Sequence, residues 1–151
     1  MVIEMTDSKN KTQNTHDFRK DSALESDPAC PFCFKNVRQR IVAELDSVFA
    51  IKDNHPVTPG HMLVIPWRHT KDFFNMTSQE KKDAGNLLQI LQQRISENDS
   101  SVTGFNVGAN CGISAGQSIM HAHIHLIPRR DGDTPRPKGG VRGVIPKKMG
   151  Y

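Results

Sequence analysis

The run from His121 to Ile127 reads His-Ala-His-Ile-His-Leu-Ile, and that alternation leaves the chain little conformational choice. Side chains of a β-strand point alternately to opposite faces, so His121, His123 and His125 would share one face and Ala122, Ile124 and Leu126 the other. On a helix the same spacing would put His123 nearly opposite the other two. The Ile, Leu and Pro context favours the strand, and Pro128 is expected to stop it.

The rest of the chain supplies partners for such a strand. Arg40 to Leu45 and Val48 to Ile51 are β-rich runs around Asp46-Ser47, which predicts a hairpin, with a helix as the alternative for the first run. Asn54 to Gly60, rich in Pro and Gly, predicts a loop before an apolar strand from His61 to Ile65, which Pro66 ends or places at an edge. Thr77 with Glu80 three residues on makes a capping box, and Ala84, Leu87, Leu88, Leu91 and Ile95 recur at helical spacing. A helix covering a sheet with its apolar stripe is predicted there. Gly104 to Gly108 reads as a short strand and Asn110 to Ser118 as a glycine-studded loop. Strands flanking one long helix without βαβ alternation predict an α+β domain with an antiparallel sheet.

With 151 residues the chain suits one domain. Residues 1–27 are polar and of mixed charge, and are expected to form a mobile tail ahead of a domain over 28–151. From about residue 131 the Gly, Pro and Lys content predicts an extended arm. No stretch approaches the ~18 consecutive apolar residues of a membrane span. The formal charge of +4 favours an anionic partner, with Arg129, Arg130, Arg136, Lys138, Arg142, Lys147 and Lys148 near one end. At 6% aromatic residues the chain lacks the stacking groups of a general nucleic-acid binder, so phosphate is the expected ligand. Three cysteines make an odd number for a disulfide framework, which points to a reducing, cytoplasmic setting.

Histidine suits attack on phosphorus. Its unperturbed pKa of ~6.5 leaves a neutral, nucleophilic imidazole at physiological pH. If one ring nitrogen donates to a backbone carbonyl, the other presents its lone pair for in-line attack on an α-phosphate, giving a phosphohistidine-type intermediate. Upstream, Gly112 and Gly116 let backbone N–H groups approach an anion, while Gln117 and Ser118 offer neutral donors. Cys30 and Cys33 have a spacing suited to tetrahedral zinc, with a redox pair or two unrelated thiols as the alternatives.

His121 to Ile127, preceded by Ala115-Gly116-Gln117-Ser118, resembles the signature of the histidine triad (HIT) family of nucleotide hydrolases and transferases. Gly60 to Pro66 is similar to a second block of that family, and Cys30-Pro31-Phe32-Cys33 to its zinc-containing bacterial branch. The resemblance runs from about Cys30 to the C-terminus. It implies a sheet of about five strands with one long and one short helix. It further implies His123 as nucleophile, and His125, His61, Gln117 and Ser118 as contacts to phosphates or leaving group. Asn106 would lie beside the α-phosphate, with Asn110 as the alternative, and Asp53 at the ribose. Phe49, Ile51 and Ile65 either line a base pocket or pack the core. The implied metal is a structural zinc held by Cys30, Cys33, His69 and His121, with no catalytic metal required. The implied partners are a nucleotide substrate and a second copy of the chain in a homodimer, with neither membrane nor specific nucleic-acid binding. A nucleotidyl transferase and a non-catalytic nucleotide- or zinc-binding module are the competing readings. His125 speaks against the transferase, whose branches typically have Gln there.

Overall fold

Asp46, a residue whose short polar side chain tolerates the left-handed region, takes φ 46° and turns the chain between β1 (Ile41–Leu45) and β2 (Val48–Lys52). β3 (Met62–Pro66) pairs with β2, and β4 (Val102–Gly108) with β5 (Ile124–Arg130). The five strands form one sheet in the order β1-β2-β3-β5-β4, every pairing antiparallel. A short helix α1 (Phe34–Val37) and a long one, α2 (Ser78–Asn98), complete the expected α+β class. This is a computed structural model, and it describes residues 26–151. The tail expected over 1–27 lies, apart from Ser26 and Asp27, outside the described residues. Among the described residues no helix is long and apolar enough to cross a membrane.

The expected capping box opens α2. The Glu80 N–H donates to Thr77 Oγ1 at 3.1 Å, and the Thr77 N–H to the Glu80 carboxylate at 2.8 Å. Its stripe of Ala84, Leu87 and Leu91 packs on Ala43, Val48, Ala50, Val64, Ile124 and Leu126, one face of the sheet. Leu87 is fully buried there, worth about 2 to 3 kcal/mol in transfer free energy alone. Asp83 anchors the helix to the hairpin, accepting hydrogen bonds from the Ser47 N–H and hydroxyl.

The opposite face carries a second apolar cluster of Phe49, Ile51, Leu63 and Ile65 under Phe32, Val37 and Trp67. Phe49, Ile51 and Ile65 are therefore fully buried core residues. On this same face His125 stands opposite Leu63, which in turn stands opposite Ile51.

The last strand departs from expectation at both ends. It starts at Ile124, so His121 and His123 precede it, and it continues through Pro128 to Arg130. Proline is tolerated because no ladder bond is lost. The Pro128 carbonyl accepts from Thr58 Oγ1 at 2.6 Å, so its nitrogen, which points the same way, faces the 53–61 loop and not β4. Pro66 ends β3 beyond the last residue paired with β5. Its carbonyl is taken by His121 Nε2 at 2.9 Å.

Candidate active site and metal cluster

Hydrogen bonds fix the tautomers of His123, His61 and His125. His123 Nδ1 lies 2.8 Å from the His121 carbonyl, which can only accept, so Nδ1 carries the proton and Nε2 keeps its lone pair. The Val57 N–H donates to His61 Nδ1 at 3.2 Å, which puts the His61 proton on Nε2. That Nε2 is 2.9 Å from His125 Nδ1, which must accept, leaving the His125 proton on its own Nε2. His125 sits between its neighbours, with its ring centroid 5.2 Å from His123, edge-on, and 5.1 Å from His61, tilted.

Burial favours the neutral forms of His125 and His61. Burial, aided by the neighbouring His123 and His61, pushes His125 down to about 4, against the pull of Asp53. Burial also lowers His61, again opposed by Asp53. Asp53 Oδ2 sits 3.4 Å from His61 Nε2 and 4.0 Å from His125 Nδ1, while Oδ1 accepts the His55 N–H. Asp53, His61 and His125 have the proximity of a metal trio. The Val57 N–H nevertheless makes His61 Nε2 a proton donor, so the trio is a hydrogen-bonded relay.

Beside the relay opens a cleft of about 420 Å³, lined by Val57, His61, Asn106, Asn110, His125 and Val141 among others. Both asparagines named by the sequence therefore reach it. Ser118 is exposed on the loop, but Gln117 is buried and committed elsewhere. Its Oε1 accepts the Gly112 N–H at 2.8 Å, and its Nε2 donates to the carbonyls of Lys71 and Ile119 at 2.7 and 3.1 Å. Both amide hydrogens are thus spent on bracing the loop. Gln117→Leu is expected to lower unfolding free energy by about 2 kcal/mol, measured by urea titration, because three backbone groups lose their partner. An unchanged denaturation midpoint would refute the bracing role.

A few ångströms away, Cys30, Cys33, His69 and His121 bring four ligand atoms together. His121 Nε2 donates to the Pro66 carbonyl, so the Nδ1 lone pair faces the thiols at 3.4 Å from Cys30 Sγ and 3.8 Å from Cys33 Sγ. His69 Nδ1 is 3.3 Å from Cys33 Sγ. Ligands at tetrahedral zinc distances would be about 3.6 Å apart across an S–Zn–N angle, so the four residues fit that ion. The N–H groups of Phe32 and Asp27 each donate to a sulfur at 3.4 Å, as an anionic thiolate needs. Without such a charge, burial pushes the Cys33 thiol up to about 11. The run His121 to His125 therefore divides its labour: His121 joins the thiols, His125 lines the cleft, and the buried His123 packs between Phe32 and His125.

Sequence reasoning missed three participants. Val57 acts through its backbone N–H, which no side chain announces. Phe32 packs edge-on against His123, with centroids 5.2 Å apart. Arg129 donates to Asn106 Oδ1 at 2.6 Å, a contact that only strand pairing creates.

This fold, with a histidine run feeding one end of its sheet, is that of the HIT domain, whose family model matches residues 35–132; the chain belongs to the HIT family. It is 34% identical over 122 residues to a Mycobacterium tuberculosis protein named AP-4-A phosphorylase, covering 76% of this chain and 61% of that one. It is 38% identical over 78 residues to a Schizosaccharomyces pombe asymmetrical bis(5'-nucleosyl)-tetraphosphatase, covering 52% of this chain and 42% of the other. The chain thus spans less than two thirds of either relative. A HIT family protein from Bacillus anthracis superposes with TM-score 0.65 at 33% identity, covering 72% of this chain and 78% of that one. A zinc-bound histidine triad family protein from Mycobacterium smegmatis superposes with TM-score 0.63 at 27% identity, covering 80% and 93%.

Proposed function

We propose that the chain hydrolyses a nucleotide conjugate at its α-phosphate, a dinucleoside polyphosphate or a nucleoside phosphoramidate, through a nucleotidyl-His123 intermediate. The observation that carries this reading is the His123 Nδ1 bond to the His121 carbonyl, which aims an unprotonated Nε2 away from the backbone beside His125. In the first step Nε2 forms a bond to phosphorus and the P–O or P–N bond to the leaving group breaks. His125 Nε2–H donates a hydrogen bond to the leaving group as charge develops on it, His61 Nε2–H, backed by Asp53, holds the His125 ring in that tautomer, and the proton that the departing group takes up comes from solvent. Water then forms a bond to phosphorus, the bond between phosphorus and His123 Nε2 breaks, and the proton that the water gives up passes to solvent.

The remaining residues hold the substrate. The exposed Ser118 hydroxyl serves the phosphoryl oxygens, with Asn106 and Asn110 as amide donors from the cleft wall. Asp53 serves the ribose as well as the relay. Gln117 contributes by keeping the loop in shape.

Zinc, when bound by Cys30, Cys33, His69 and His121, supplies a closed structural centre that pins the N-terminal segment beside the nucleophile. The likeness to a zinc-bound family member and the ligand geometry support this choice of metal. Reduced thiols of this kind suit the cytoplasm. We also propose a homodimer formed along β4, one of the two edge strands of the sheet, where Val107 is exposed. Light scattering at micromolar concentration should give twice the chain mass; a monomer there refutes it.

Phosphorolysis is the second reading, favoured by the name of the mycobacterial relative. Products separate the two. Incubated with diadenosine tetraphosphate or adenosine phosphoramidate, the enzyme should release adenosine monophosphate at a rate indifferent to inorganic phosphate. Release of adenosine diphosphate from the phosphoramidate, only when phosphate is added, would replace hydrolysis by phosphorolysis. No turnover of either substrate, with binding retained, would leave a binding module.

A further inference from the structure

A carboxamide can offer a ligand either its oxygen or its nitrogen, and which it offers decides whether it attracts or repels an anion. Asn106 has that choice made for it. Its Oδ1 accepts a 2.6 Å hydrogen bond from Arg129 Nη1, a charged donor. Its Nδ2 turns the other way, toward the arm: a Cβ placed on Gly140 would come within 3.4 Å of it. Gly140, His61 and His125 line the same cleft as Asn106, so it is the donor end of the amide that lies on the cleft side.

Arg129 is in turn held firmly. Its Nε and Nη2 donate to the two Asp133 oxygens at 2.7 and 2.6 Å, and the Arg130 N–H donates to Asp133 Oδ2 at 2.9 Å. The paired guanidinium holds the Asp133 carboxyl down at about 2. The Asp133 carboxylate thus neutralises Arg129, and its remaining influence on the cleft is orientational.

We infer that Arg129 is a positioning residue that locks the Asn106 amide with its nitrogen toward the phosphate site, selecting phosphorylated ligands without touching them. This rests on the reading of the cleft as a phosphate site. The Asp133 carboxylate keeps the guanidinium in register with the amide, which explains why an arginine beside a phosphate site is paired with an acid at all.

The experiment is calorimetric titration of adenosine monophosphate and of adenosine into the intact protein and five variants. Arg129→Met keeps the stem and loses the donors; it should weaken adenosine monophosphate by about tenfold and leave adenosine unchanged. Arg129→Lys, retaining one charged donor to Asn106 Oδ1, should recover most of that loss. Asp133→Asn, which frees the guanidinium, should weaken the monophosphate less than Arg129→Met does. In an Asn106→Ala background the Arg129→Met change should vanish. An equal effect in both backgrounds would show Arg129 acting by its own charge or on the fold, and would overturn the inference while leaving the Asn106 contact standing. Unchanged affinity in Asn106→Ala itself would remove the phosphate contact, and the inference with it.

Discussion

His123→Ala should abolish covalent labelling by substrate and lower kcat by about four orders of magnitude, with little change in binding of the nucleoside monophosphate. The size of the effect follows from what is deleted. Nε2 of His123 has its lone pair set free by the His121 carbonyl, and neither neighbour can replace it. His61 Nε2 carries a proton, and the His125 Nδ1 lone pair is occupied by that proton. The measurement is a rapid-quench burst with radiolabelled dinucleoside polyphosphate, followed by acid-stable and acid-labile adduct analysis. A burst that persists in His123→Ala would end the proposal that this residue is the nucleophile. His125→Ala should instead retain the adduct but form it more slowly, most of all when the leaving group needs a proton.

Removing the metal should be the second large effect. Purified protein is expected to hold about one zinc per chain, and stripping it with a strong chelator should lower Tm by about 10 °C. The cause is local and specific. Stripped of a cation, Cys30 and Cys33 are two buried thiols facing two imidazole nitrogens, and Cys33 lies under a pressure of burial that holds its proton on. His121 would be released from one side while still bound to the Pro66 carbonyl. Because the His121 carbonyl and Phe32 both contact the His123 ring, the rate of adduct formation should fall together with stability. Cys30→Ser should reproduce both losses and hold less metal by elemental analysis. Metal-free protein with an unchanged Tm after growth in zinc-replete medium would dismiss the structural centre.

Much of the fold was legible because it rests on local rules. The capping box of Thr77 and Glu80 and the stripe through Leu87 and Leu91 place α2 without reference to anything distant. The hairpin at Asp46-Ser47 is equally local. The strand boundaries around Pro128 were misjudged, because whether a missing N–H matters depends on which neighbour lies on that side. Phe49, Ile51 and Ile65 were ambiguous between pocket and core for a similar reason: burial by Phe32 and Trp67 comes from segments remote in sequence.

Alternation in the histidine run told which residue types would gather, and the family resemblance implied roles for them, with His121 among the zinc ligands. Alternation by itself could not tell that His121 leaves the set. A period of two fixes side-chain direction only within a strand, and β5 begins after His123. Gln117 likewise carries a donor that any sequence reading offers to phosphate, yet the Lys71 and Ile119 carbonyls claim it.

The sequence by itself determined the secondary elements, the sheet-forming histidine segment and the membership of the chemical cast, since propensity, capping and periodicity act between near neighbours. Tertiary structure alone decided which ring nitrogen carries each proton and which amide end of Asn106 meets the cleft. Those choices are made by backbone carbonyls, N–H groups and a guanidinium brought up from other strands, and a hydrogen bond of 3 Å or so has no range along the chain.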